Sequence, residues 1–299
     1  MRITGRLLLV GLCAAVWSGS PSHAAEPAPE GGVFARSNLV AWCIVPFDAM
    51  KRSPQQRAEM LQRLGIRKLA YDWRGEHVPT FEDEIVQCQK HGIEFFAFWG
   101  SHPEIFPLLA KHQVKPQFWS TVPSPAAGSQ EERVAAAAEH LREMAEKTRQ
   151  VGCQFALYNH GGWGGEPRNM VAVVERLRAQ GQNDHVGIVY NLHHGHDHIH
   201  DFAEVLAVMK PYLLCLNLNG MNDGAKPKIL PVGAGQHDRS MIEAIKSSGY
   251  VGPIGILDHR SDVDAEVALR QNLDGLKNLL EQTGDAAALK TYELPRPAR

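Results

Sequence analysis

The stretch from Tyr190 to His200 reads YNLHHGHDHIH and places five histidines within eight residues of a chain that holds fifteen. Imidazole is the side chain that most often gives and takes protons near neutral pH, and it is also a common metal ligand. Two chemistries are therefore open for the run. It can bind a transition metal through its rings, or His196, His198 and His200 can be solvated loop residues with no site role. His194, and His160 in LYNHGGW (157–163), stand closer to apolar runs and are the stronger acid–base candidates. Amides and a carboxylate recur in similar positions: Asn191, Asn217, Asn219 and Asp258. Asn217 and Asn219 are two apart and share one side of an extended segment. A buried amide needs partners, and sugar hydroxyls can supply them, as can neighbouring backbone.

The elements that must position these residues follow from periodicity. Apolar, β-branched or aromatic runs fall near 39–45, 68–73, 94–99, 115–122, 154–159, 186–192, 213–218 and 253–258. Longer amphipathic stretches separate them, near 54–64, 79–91, 104–112, 130–151, 167–180, 199–209, 239–248 and 262–282. Strict strand–helix alternation calls for a parallel sheet with right-handed crossovers. Eight repeats over this length predict a single (β/α)8 TIM barrel of the α/β class. An open doubly wound sheet is the alternative, but no glycine fingerprint follows the first strand.

In a barrel the loops after the strands carry the chemistry. Ten of the fourteen histidines that follow His23 lie there: His77, His102, His160, His193, His194, His196, His198, His200, His237 and His259. So do Trp42, Trp73, Trp99, Trp119, Trp163, Tyr158 and Tyr190. Aromatic rings beside polar groups suit a ligand with apolar C–H faces and many hydroxyls, which is a carbohydrate; core packing is the competing role for each ring. Trp73, Trp99, Trp119, Tyr158, Asn191, Asn217 and Asn219 form the expected sugar-binding set. Val232-Gly-Ala-Gly235 offers backbone N–H groups to an anion, as loops after the seventh and eighth strands often do.

The chain ends frame this barrel. Arg2 and Arg6 precede the apolar run 7–17, and Ser22-His23-Ala24 supplies small residues for cleavage, so residues 1–24 are expected to be a secretory signal peptide. Removing 24 of 299 residues leaves 275. Residues 25–36 are expected to be a flexible tether, 37–283 the barrel, and 284–299 a loosely packed tail. The run is too short to span a bilayer comfortably, and no membrane span is expected after cleavage. The predicted location is exported, periplasmic or extracellular. Cys43, Cys88, Cys153 and Cys215 remain; their wide spacing favours buried free thiols over a disulfide framework. With 31 basic and 33 acidic residues there is no cationic excess for a nucleic-acid partner.

The stretches LYNHGGW (157–163), YNLHHGH (190–196), ILPVGAGQHD (229–238) and YVGPIGIL (250–257), in this order and strand placement, make the chain resemble the xylose isomerase-like barrels, the sugar phosphate isomerase/epimerase superfamily. The resemblance covers about 37–282. It implies a divalent metal at the barrel mouth and proton transfer between carbons next to a carbonyl. It also implies metal ligands from the fifth to eighth strands: Glu, Asp in Asp-x-x-His, His, and Glu. Here those places hold Tyr158, Asn191 with His194 retained, Asn217, and Leu257-Asp258. Amides and a phenol carry too little negative charge for a hard cation.

Three readings follow. The first is an exported sugar isomerase/epimerase-like enzyme, or a related lyase, acting on a free sugar or sugar derivative. His160 and His194 serve as acid and base, and Asp258 assists. The second is a non-catalytic carbohydrate-binding barrel that has lost the metal site. The third is a softer metal such as zinc at His160, His194 and His259 or Asp258. The cofactor, the sugar and the oligomeric state stay open.

Overall fold

The computed structural model describes residues 29–181 and 183–293; the expected signal peptide lies outside them. Eight parallel strands close into one barrel in sequence order. They are β1 (Leu39–Trp42), β2 (Lys68–Tyr71), β3 (Glu94–Trp99), β4 (Gln117–Thr121), β5 (Phe155–Tyr158), β6 (Val186–Asn191), β7 (Leu213–Leu218) and β8 (Ile254–Leu257). The closing pair aligns Leu39 with Ile254 and Trp42 with Leu257.

Helices cover the outside: α1 (Pro54–Leu64), α2 (Phe81–Lys90), α3 (Ile105–His112), α4 (Gln130–Gln150), α5 (Gly162–Gly165), α6 (Pro167–Ala179), α7 (Phe202–Met209), α8 (Asp238–Ser248), α9 (Ala265–Gln282) and α10 (Ala286–Lys290). Local chemistry sets their ends. Ser53 and Gln56 form a capping box in front of Pro54, and Gly65 closes α1 at φ 67°. Ser129 and Glu132 repeat the box at α4. Among the described residues no helix is long and apolar enough to cross a membrane.

Side chains alternate along each strand with period two. Leu39, Leu69, Phe98, Phe118, Leu157 and Ile188 face the helices. Val40, Trp42, Ala70, Ala97, Trp119, Ala156, Tyr158, Val189, Cys215 and Leu257 face the barrel axis. Asp72, Asn191 and Asn217 share the inward parity, so each strand end delivers its last inward residue to the mouth. Register shifts at Leu69/Ala70 against β3 and Ile188/Val189 against β7 re-phase the wall.

The four cysteines Cys43, Cys88, Cys153 and Cys215 are free and buried. β1 ends at Trp42, short of the expected Val45, where Cys43 takes a left-handed φ of 57° and breaks the ladder. The expected tether is packed near its end: Phe34 and Ala35 are fully buried. The tail after Gly284 is not loose along its described length. Thr291 Oγ1 accepts from Arg36 N, and the Tyr292 hydroxyl donates to the Phe34 carbonyl, clamping α10 across the N-terminal segment.

Candidate active site

The floor of the mouth is aromatic. Trp42 stands at the centre, with ring centroids 4.8 Å from Trp119 and 5.7 Å from Trp99. Trp99 meets Tyr158 edge-on at 4.9 Å. Trp119 is fully buried, and its Nε1 donates to Gln117 Oε1. It therefore supports the floor from below, while Trp99 keeps partial exposure. Trp73 has the opposite parity from Asp72. It packs outward against Phe81 and Phe98, and its Nε1 donates to the Trp99 carbonyl. Trp163 also turns away, donating to Gln130 beneath the Arg133 guanidinium.

Above the floor runs a row of four imidazoles. His160 and His194 lie 4.5 Å apart, His194 and His193 4.5 Å, and His193 and His259 5.1 Å, by ring centroids. Phe47 ends the row, 4.1 Å from His259. His160 is exposed and His193 is buried. Burial pushes His193 down to about 3 and His194 to about 2, and the neighbouring histidines and Lys228 add to it. Both rings are neutral at any pH near 7. His259 is lowered too, by burial first and then by Arg74.

Amides hold the row in place. Asn159, fully buried, donates through Nδ2 to the Asn191 carbonyl and accepts from Asn191 N, tying the ends of β5 and β6 together. Asn191 Oδ1 accepts from His193 N, and its Nδ2 donates to the Tyr158 hydroxyl. Asn217 lies flat against β8, where a Cβ on Gly255 would sit 1.8 Å from its Oδ1; its Nδ2 is buried without a partner. Asn219 Nδ2 donates to the carbonyls of Gly220 and Lys228, shaping the loop after β7.

Two buried carboxyls flank β1. Asp258 accepts from Arg260 Nε at 3.0 Å, yet burial outweighs that contact and raises it to about 6. Asp72 accepts from Val45 N and is raised by burial to about 7. Asp258 forms no hydrogen bond with His160 or His194 among the described residues; its own side of the mouth is the His259 side.

The glycine loop after β7 is already filled. Asp238 Oδ2 accepts from Gly233 N and Gly235 N, and its Oδ1 accepts from Met221 N, at 2.6 to 2.9 Å. The N–H groups expected to greet an anion hold an internal carboxylate instead.

Residues 72–279 match the model of the xylose isomerase-like TIM barrel family. The chain belongs to that family. No curated protein matches its sequence. Among solved structures, 3-keto-D-glucoside 4-epimerase YcjR from E. coli superposes with a TM-score of 0.59 at 13% identity, over 83% of this chain and 99% of that one. D-psicose 3-epimerase from Clostridium cellulolyticum H10 gives 0.55 at 14%, over 85% and 97%. The probable 3-DHS dehydratase AsbF from Bacillus anthracis gives 0.60 at 13%, over 80% and 98%. At these identities the likeness is one of fold alone, a closed (β/α)8 barrel.

In this xylose isomerase-like barrel the places where a divalent ion would be held do not fit one. Tyr158 and Asn191 hydrogen-bond to each other, Asn217 is pressed against Gly255, and Asp258 holds a guanidinium. His160 pairs with His194, whereas the ring packed on His259 is His193. Among the described residues no three His, Cys, Asp or Glu side chains are grouped to hold a metal ion.

The remaining strand-end histidines have local work. His198 contacts Glu166 and Asp201, and His200 and His237 both contact Asp223 at the outer rim. His102 packs on Trp73, and His77 Nδ1 accepts from Arg74 N. Sequence reasoning placed His193 at the catalytic end without giving it a role of its own, and passed over Asn159, Asp72 and Asp238. Parity marks Asp72, two residues after Ala70, and an acid three residues after Gly235 marks a loop that satisfies itself.

Proposed function

We propose that this chain is an exported enzyme that moves a proton on a carbon next to the carbonyl of a free, unphosphorylated sugar or sugar derivative. The row of four imidazoles over an aromatic floor carries the reading. A sugar's C–H face suits Trp99, which keeps partial exposure, while the buried Tyr158 backs it edge-on. His160, exposed at the entrance, takes the proton as the C–H bond breaks. The electron pair becomes the C=C bond of an enediolate, and the charge moves to the former carbonyl oxygen. His194, held neutral, donates its one N–H to that oxygen, as a neutral imidazole can. Return of a proton to the same carbon from the other face gives an epimer; its delivery to the former carbonyl carbon, with the hydroxyl proton of the deprotonated carbon passing to the former carbonyl oxygen, gives an isomer. Asp258, with its carboxyl near 6, can hold or release a proton beside the site. Asp238 in the glycine loop supports an unphosphorylated substrate, because the backbone anion site is taken. Export rests on the n-region, apolar run and cleavage residues of the first 24 positions.

The test is incubation of the purified chain with a sugar panel in deuterated water. Deuterium in recovered sugar, or a new sugar, is expected; neither product nor exchange, with or without added metal, sinks the reading. The Tyr158–Asn191 bond favours a second reading, a carbohydrate-binding barrel, because it closes two of the family's ligand positions against each other. Calorimetric binding without any exchange would select that one.

A further inference from the structure

His198 joins the two loops that carry His160 and His194. Its Nε2 lies 3.1 Å from Glu166 Oε2, and its Nδ1 lies 3.1 and 3.2 Å from the two carboxylate oxygens of Asp201. Glu166 ends the loop after β5 and immediately precedes α6; Asp201 ends the loop after β6 and immediately precedes α7. A neutral imidazole has a single N–H, and its other nitrogen carries a lone pair. With a carboxylate against each nitrogen, both contacts are hydrogen bonds only when the ring is an imidazolium. The groups around the ring favour that cation. Among the described residues no lysine or arginine forms a salt bridge with Glu166 or Asp201. Asp197 is the adjoining residue, and the Tyr190 hydroxyl of β6 is pushed up by burial and then by Glu166, Asp201 and Asp197, so it stays neutral. Asp223 differs: His200 and His237 each present one Nε2 to its Oδ1, at 3.1 and 3.0 Å, which neutral rings satisfy.

We propose that His198, as an imidazolium, is a positioning residue that braces the loops after β5 and β6 at their outer ends, holds His160 against His194, and releases them when it gives up its proton. The consequence for activity rests on the proton-transfer reading above; the brace itself rests on the contacts. The inner ends of both loops are already fixed by the Asn159–Asn191 bonds. Beyond that tie the chain turns on Gly161 and Gly162, whose φ angles of 85° and 62° lie in the left-handed region. On the other side Gly195 separates His194 from the turn that carries His198. Each histidine of the pair therefore hangs on a glycine-jointed loop, and the contact of His198 with Glu166 is what ties the far ends together. Histidine changes charge between about pH 5 and pH 8. The brace is closed on the acid side of that range, where the ring is charged, and open on the alkaline side.

Amide hydrogen exchange reads the brace without any sugar. The reporters are Gly164, Gly165 and Glu166, whose N–H groups donate to Ser124 Oγ, the Gly161 carbonyl and the Trp163 carbonyl. In the parent chain their protection, corrected for the intrinsic effect of pH, is expected to fall about 10-fold between about pH 5.5 and pH 8, the worth of one charge-assisted hydrogen bond. His198→Gln is expected to show the low protection at both pH values. His198→Arg, which keeps its charge throughout, is expected to show the high protection at both, and His200→Gln the parent profile. Equal protection of the parent at the two pH values overturns the proposal, as does parent-like behaviour of His198→Gln or a fall that persists in His198→Arg. In the deuterated-water assay His198→Gln is expected to exchange sugar protons about 10-fold more slowly than the parent at the lower pH and equally at the higher, with sugar affinity unchanged in calorimetry. Equal rates at the lower pH overturn the positioning role. If no form exchanges any sugar, the functional reading fails while the protection data still decide the brace.

Discussion

Burial decides the protonation of the residues at the mouth, and in opposite directions for the two kinds of group. His193 and His194 are held neutral, so the unfolded chain takes up protons that the fold refuses as pH drops below about 6.5. Stability is therefore lost on acidification toward about 3, the folded value of His193. His193→Gln is expected to recover about 2 kcal/mol of the loss between pH 7 and pH 4.5, read from denaturation midpoints at the two pH values. Asp72 has the reverse sign. The fold keeps its proton up to about 7 while the unfolded chain ionises near 4. Its contribution is present below pH 4 and is lost as pH rises through 7. Asp72→Asn keeps an acceptor for Val45 N and should gain on the order of 2 kcal/mol relative to the parent between pH 4 and pH 8. An unchanged difference would show that Asp72 ionises freely. At this scale the sequence showed the enrichment of histidine but not the pairing. Strand-end position placed His160 and His194 at the mouth, whereas the Tyr158–Asn191 and Asn159–Asn191 bonds depend on side-chain directions that spacing does not contain.

The elements explain both the successes and the failures of placement. β3 and β7 have the bounds that their apolar runs predict. β1 stops early because Cys43 leaves the extended region, a backbone event with no signature in LVAWCIV. Trp73 falls outside the site because β2 presents Ala70 and Asp72 inward; period two alone would have said so. The loop after β7 is the clearest case of an element that looks like a binding site and serves the fold. Asp238→Ala would leave three backbone N–H groups without their acceptor, at a cost of about 3 kcal/mol. Chemical denaturation of that variant checks it, and a loss below about 1 kcal/mol would mean that the loop rearranges around the missing carboxylate.

At the scale of the whole molecule, strict alternation of eight strands and eight helices was enough to read a closed barrel, because short right-handed connections leave few other topologies. The clamp between α10 and residues 33–36 was not legible, since it joins segments some 255 residues apart through single hydrogen bonds. What the closed wall adds is convergence: β5, β6 and β8 lie far apart in sequence yet bring His160, His193, His194 and His259 into one row. The central claim is that this row, without a divalent ion, exchanges a proton next to a carbonyl. Solvent-deuterium incorporation measured by NMR on chelator-treated protein tests it most directly. Exchange at the carbon beside the carbonyl is expected with the parent chain, falling at least 100-fold in His160→Ala. Exchange that requires added metal, or that survives His160→Ala undiminished, would contradict the account.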